Sequence, residues 1–282
     1  MLSLVLSAAL VFGPSDASVV REMTEAFVSS CTPRDAGTIR GRLAANWLSD
    51  RVNADGADII RDAFFADTPK GRRRFTNLYS EFESDPTSRW VVVVSHYDTK
   101  PGSNCPGAND GAVTSALLMR FASLLHERKA PRGNVMLVWT DGEECMGDHY
   151  VPGDGFQGSQ RAAEYLKSKN RKVQAVICLD MLGDRDLSVS IPANGSKSLA
   201  RIAYHAARRI GEDRLVTLSD ILVKDDHLAF LEAGYPAIDL IDFEYGPDNS
   251  WWHTSADTID KIAEDSILKV GRLVAEMLEI LI

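Results

Sequence analysis

Four cysteines, Cys31, Cys105, Cys145 and Cys178, are the whole thiol content of this 282-residue chain, and no two of them stand in a CxxC spacing. That is too few for a disulfide scaffold at this length and the wrong spacing for a zinc site built of thiolates. Basic residues are also scarce: 31 Lys and Arg face 40 Asp and Glu, leaving a net charge of −9. No basic stripe is available to neutralise phosphates, which excludes nucleic acid as a partner. The one basic cluster, Lys70 to Arg74, reads as a solvated loop or a helix start. Long apolar runs are missing too. A membrane span takes ~20 consecutive apolar residues, and no segment of this chain approaches that.

Leu2 to Phe12 has the length of a signal-peptide apolar region, with Ser15-Asp16-Ala17 as a cleavage site, yet no Lys or Arg precedes it. Residues 1–17 are therefore either the remnant of a leader, placing the protein in the periplasm or outside the cell, or an apolar helix packed on the body of a cytoplasmic one. Internal repeats, low-complexity tracts and long linkers are absent. Residues 18–282 read as a single domain of ordinary globular composition, 45% hydrophobic and 25% charged, and a monomer is expected.

What is present is concentrated in Arg89 to Gly111. Trp90 to Val94 is a short β-branched apolar run, the pattern of a buried strand. It ends abruptly in His96, Asp98, Thr99 and Lys100, and a loop rich in Gly, Pro and Asn then delivers Asp110 to the start of a long helical stripe. Val135 to Val138 and Val173 to Leu179 repeat the theme, the first running into Asp141-Gly142-Glu143-Glu144 and the second into Asp180. Cys178 lies inside the latter run and reads as a small buried hydrophobe. Ala237 to Ile241 is a further strand, and Leu187 to Ile191 a short one. Helical spacing recurs over residues 18–54, from Val113 to Leu125, from Ser159 to Ser168, from Lys197 to Ile210, after Asp225-Asp226-His227, and from Thr258 to the end. Residues 58–82 mix strand and turn signals. Strands that are apolar throughout and alternate with helices imply a central, mainly parallel sheet covered on both faces, a three-layer α/β/α sandwich.

In such folds ligands bind beyond the carboxyl ends of the strands. His96, Asp110, Glu144, Asp180 and His253 are residues of metal-binding type that fall there or in the loops that follow. Singly each would pass for a surface or capping residue; three buried strands leading to one apiece is the informative pattern. Nitrogen and carboxylate donors with an open position describe a catalytic zinc. The pair Glu143-Glu144 offers one carboxylate to coordinate and one to shuttle protons. Trp251 and Trp252, costly to expose, suit the wall of a pocket beside His253. His227 reads as a core residue or a support behind the site, while His126 and His205 read as helix-surface residues. Cys105 and Cys145, each near a candidate ligand, would be placed to pair in an exported protein.

Together these residues resemble the zinc-dependent exopeptidases of family M28, and within it the glutaminyl-peptide cyclotransferase branch. The likeness spans about residues 35 to 275. It rests on HYD at His96 to Asp98, GAND at Gly107 to Asp110, DGEE at Asp141 to Glu144, LD at Leu179-Asp180 and WHT at Trp252 to Thr254. Thr68-Pro69-x-Gly71-x-x-x-Phe75-x-Asn77, Gly158-Ser159 and Asp225-Asp226-His227-Leu228-x-Phe230 lean towards the cyclase branch. The resemblance implies a hydrolase-like zinc-exopeptidase architecture acting on peptides or proteins with a free N-terminus. It implies one zinc on Asp110, Glu144 and His253 in a cyclase, or two in an aminopeptidase, with His96 and Asp180 completing the second site. It also implies that Glu143, Asp180 and Asp225 form a catalytic acid network and that Trp252 lines the glutamine pocket, to which Trp251, His149 and His227 are added as candidates. One departure stands out: the branch carries a pocket tryptophan shortly after the second Glu, and His149 occupies the corresponding place here.

Overall fold

From the N-terminus, helices α1 (Pro14–Cys31) and α2 (Ile39–Ala54) lead into a hairpin of β1 (Ile60–Thr68) and β2 (Gly71–Phe82). Then follow β3 (Trp90–His96), α3 (Val113–Glu127), β4 (Asn134–Thr140), α4 (Gln157–Ser168), β5 (Val173–Asp180), β6 (Val189–Ile191) and α5 (Lys197–Arg209). The chain closes with β7 (Val216–Leu218), α6 (His227–Glu232), β8 (Ala237–Ile241) and α7 (Glu264–Leu281). This computed structural model describes residues 9–128, 132–147 and 149–282.

The strands form one eight-stranded sheet in the order β1-β2-β4-β3-β5-β8-β6-β7. β3 pairs in parallel with β4 and β5, and β5 with β8, while the hairpin is antiparallel to β4 at one edge. Every residue of β3 is buried. Successive side chains of a strand point to opposite faces, so Val91 and Val93 enter one apolar core and Val92 and Val94 the other. A strand that feeds two cores cannot alternate polar with apolar, hence the unbroken valine run. At about 1.5–3 kcal/mol per fully buried aliphatic side chain, this run belongs at the centre of the sheet and nowhere else. Helices α1, α2, α3, α5 and α7 build the larger core on one face; α4 and α6 cover the other. The architecture is the expected three-layer sandwich.

Several local expectations give way. The helical stretch over residues 18–54 is two helices, broken at Thr32-Pro33, where proline offers no amide hydrogen to a helix. The second starts afresh at Thr38, whose hydroxyl accepts the amide of Gly41 at 3.1 Å. The last helix begins at Glu264, not Thr258, because Ile262 is extended and bridges to Asp184. The basic cluster Lys70–Arg74 is solvated as expected but starts no helix: it is the turn and first residues of β2, with Arg72 to Arg74 opposite Asp67, Ala66 and Phe65. β7 adds a short strand that the pattern did not announce. All four cysteines are free, Cys105 facing Asp257 and Cys145 the Asp154 carbonyl.

Of the apolar N-terminal run, residues 2–8 lie outside the described residues. Leu10 and Phe12 are buried, Phe12 against Phe121, and Ser15-Asp16-Ala17 forms the first turn of α1, where Asp16 pairs with Arg120. Among the described residues no helix is long and apolar enough to cross a membrane.

Candidate metal centre and active site

Parallel strands end together, and here β3, β4, β5 and β8 do so at one rim. His96 is the last residue of β3 and lies beside Thr140, the last of β4; Asp180 closes β5. Asp110 arrives from the loop before α3, in a single wide turn over Ala108–Ala112. Gly111 has φ of +91°, and a Cβ there would stand 2.9 Å from Cε1 of His96. Glycine is thus required twice over, by conformation and by the imidazole that packs on it.

The donors fall into two groups that share Asp110. Its Oδ1 lies 3.2 Å from Nε2 of His96, which is 3.1 Å from Asp180 Oδ1. Its Oδ2 lies 3.4 Å from Nε2 of His253, which is 3.1 Å from Glu144 Oε1. Asp110 Oδ2 and Glu144 Oε1 are buried and accept no hydrogen bond. Two carboxylate oxygens and one imidazole nitrogen, converging and otherwise unpartnered, suit a cation of the zinc class. His96, Asp110 and Asp180 converge as tightly, so either group could hold a metal ion.

Charge tells the same story. Burial and the neighbouring Asp110 push Glu144 up to about 7, and burial raises Asp180. Burial works against a charged imidazole at His96, but its hydrogen bonds to Asp110, Asp180 and Asp98 outweigh it and raise its pKa well above the usual value. Burial likewise opposes protonation of His253, and Glu144 overcomes it. Carboxylates packed this closely favour positive charge between them.

Glu143 belongs to neither group but lines, with Asp110, Glu144 and His253, a cavity of about 460 Å³, a common size for small-molecule sites. Burial and the charge of Asp225 push its carboxyl well above the usual range. Asp180 and Asp225 line the same cavity, as do Trp252, Phe243 and Tyr150. Trp252 stacks on the His253 ring at 3.9 Å and meets Phe243 at 5.1 Å. His253 itself has φ of +55°, a left-handed conformation uncommon outside glycine.

The other pocket candidates lie elsewhere. Trp251 packs edge-on against Tyr245 and beneath Lys261, closing over Gly246, where any Cβ would clash with the indole. His149 is exposed and does not line the cavity; its neighbour Tyr150 does. His227 is fully buried behind Asp225, with neither ring nitrogen hydrogen-bonded, in a group with Asp225 and Asp239.

Three residues beyond the expected set hold the site in shape. Asp98 accepts the amides of Glu143 and Glu144, one on each oxygen, at 3.2 and 3.1 Å. Asp257 does the same for Asn109 and Asp110, at 2.8 and 3.1 Å, and is itself held by the Tyr245 hydroxyl. Arg34, fully buried, donates to the carbonyls of Tyr97, Pro106 and Gly107 and so spans β3's end and the Asp110 loop. Asp98 was visible as a polar residue past β3, and Asp257 as an acid shortly after His253; nothing in the sequence marked Arg34.

A sandwich of this topology, with His, Asp and Glu donors gathered at the strand ends above a cavity holding a spare carboxylate, defines a metal-dependent enzyme of the zinc-exopeptidase fold. The chain belongs to peptidase family M28, whose model matches residues 77–278. It is 25% identical to the glutaminyl-peptide cyclotransferase of Drosophila melanogaster, over 90% of this chain and 79% of the relative. It is 29% identical to the glutaminyl-peptide cyclotransferase-like protein of Bos taurus, over 88% of this chain and 71% of that one. The crystal structure of a glutaminyl cyclase from an Acidobacteriales bacterium superposes with a TM-score of 0.88 at 27% identity, covering 100% of this chain and 98% of the other.

Proposed function

We propose that this protein is a zinc-dependent glutaminyl-peptide cyclotransferase, converting the N-terminal glutamine of peptides to pyroglutamate with release of ammonia. The observation that carries the reading is the division of labour between two adjacent carboxylates: Glu144 joins Asp110 and His253, while Glu143 faces the cavity among Asp180 and Asp225. The named relatives and the solved cyclase support the same activity.

Zinc held by Asp110, Glu144 and His253 would supply Lewis-acid polarisation of the glutamine γ-carboxamide. Glu143 is placed to take a proton from the substrate α-amine. The amine nitrogen then bonds to the carboxamide carbon, the carbon–nitrogen bond of the carboxamide breaks, and the proton on Glu143 leaves with the ammonia. Asp225 and Asp180 line the same cavity, and burial with the charge of Asp225 raises the Glu143 carboxyl, which suits it to hold and return that proton. Trp252 offers a flat apolar wall to the methylene groups of the glutamine side chain.

The test is a peptide panel. A peptide with N-terminal Gln should lose the mass of one ammonia on incubation with the zinc-loaded enzyme, and Glu143→Gln should abolish the loss. A second reading, hydrolysis of the N-terminal peptide bond with two zinc ions, is favoured by the tightness of the His96, Asp110 and Asp180 group. Release of free leucine or alanine from peptides that begin with them would decide for it.

A further inference from the structure

The cavity continues past Asp225 onto the loop that delivers this residue. Residues 219–224 are pinned along their backbone. Ala193 donates to the Ile221 carbonyl at 3.0 Å, and the Ile221 amide to Ser219 Oγ at 3.1 Å. The Asn194 side chain brackets Val223, donating to its carbonyl at 2.7 Å and accepting its amide at 3.3 Å. On this fixed backbone Ile221 and Leu222 are 68% and 73% exposed, and both line the cavity. Tyr150, from the loop after Glu144, lines it too; its ring leans on Phe156 and lies 4.1 Å beneath Lys224 Nζ.

Two large aliphatic side chains held out into water on a pinned loop cost hydration free energy, and among the described residues nothing covers them. Their place identifies the occupant. A substrate whose first residue lies against Glu143 and Trp252 has this rim as a further wall of the same cavity, open to its second side chain. We propose that Ile221, Leu222 and Tyr150 form a subsite for an apolar side chain on the second residue of the substrate peptide, with Lys224 discriminating against a cationic one. This deepens the cyclase reading and rests on it for the placement of the first residue.

The test compares Gln-Leu, Gln-Gly and Gln-Lys peptides, blocked at the C-terminus, by ammonia release. The Gln-Leu peptide should show a KM about tenfold below that of Gln-Gly, the scale at which a small apolar contact discriminates, and Gln-Lys should be the poorest. In the exposed double variant Ile221→Ser/Leu222→Ser the KM ratio between Gln-Gly and Gln-Leu should collapse to about one. Equal KM values in the wild type, or a ratio that survives the double substitution, would overturn the subsite. If no peptide released ammonia, the cyclase reading would fall by itself. The same peptides would then be titrated against the intrinsic tryptophan fluorescence of the zinc-loaded protein, where equal affinity for Gln-Leu and Gln-Gly refutes the subsite and a preference lost in the double variant upholds it.

Discussion

Asp110 Oδ2 and His253 Nε2 lie 3.4 Å apart although 143 residues separate them in the chain, and neither atom is spent on a hydrogen bond to the backbone. With Glu144 they form one of the two groups that could hold a metal ion, the one to which the proposed function assigns zinc. His253→Ala should weaken zinc binding by more than about 100-fold, since loss of a direct donor exceeds the usual 10–100-fold cost of losing an outer partner. His96→Ala separates the one-ion and two-ion arrangements. With one ion, the metal content per chain should stay at one; with two, it should fall from two to one. Metal analysis after dialysis, with a chelator competition for affinity, reads both.

Asp98 should matter to chemistry it does not touch. Its two oxygens accept the amides of Glu143 and Glu144, fixing one carboxylate towards the metal group and the other towards the cavity. Asp98→Asn keeps the shape but sets an NH2 group against one of those amides. We expect about a 10–100-fold loss in kcat/KM or zinc affinity, with the fold intact by circular dichroism. Wild-type values for both would show that the Glu143-Glu144 turn orients itself.

How far the sequence speaks for this site depends on whether the signal is local. His96 and Asp180 stood out as candidates because an unbroken apolar run cannot hide an ionisable residue and its end marks the sheet rim, and Asp110 and Glu144 because they stand in the polar loops that follow such runs. Asn77, Asp141 and Gly158 fit motifs in separate segments, and their meeting is simple: Asn77 donates to the Gly158 carbonyl and accepts the Asp141 amide. Gly158 is glycine because a Cβ would come within 2.7 Å of the Asp141 amide nitrogen. Arg34 was illegible for the opposite reason. It acts on carbonyl oxygens of residues 63 to 73 positions away, and a carbonyl carries no identity in a sequence. Trp251 and Trp252 show the same limit at closer range. Neighbours in sequence, they diverge because the left-handed turns around Gly246 and His253 send one into the loop's own packing and the other to the cavity.

Gly111→Ala tests whether the positive-φ turn before α3 serves the fold or the site. The substitution forces a side chain into φ of +91° and against the His96 ring. A cost of about 1–3 kcal/mol is expected for the backbone alone, read as a lowered midpoint in urea. Because the colliding imidazole belongs to the donor set, the zinc-loaded variant should also lose activity. Stability within about 0.5 kcal/mol of wild type, the range of an innocuous surface change, would mean that the turn has another conformation available to it.

His227 provides a pH test that stands apart from catalysis. Burial pulls its pKa down to about 4. Burial is the whole cause, and the carboxyls of the adjacent Asp225 and Asp239 are likewise pushed well above the usual range. In the unfolded chain a histidine titrates near 6.5. Between that value and about 4 the unfolded state therefore binds a proton that the folded state refuses, so stability is lost as pH falls through this window. At pH 5 the loss from His227 should be roughly 2 kcal/mol relative to pH 7.5. Buried acids such as Asp242, raised to about 7 by burial, act in the opposite sense, because the folded state takes up their protons first. The clean quantity is thus the difference between wild type and His227→Gln, each unfolded in urea at both pH values with a chelator present. Wild type should lose more stability than the variant on acidification; parallel losses would mean that the imidazole takes up its proton as readily in the native state as in the unfolded chain.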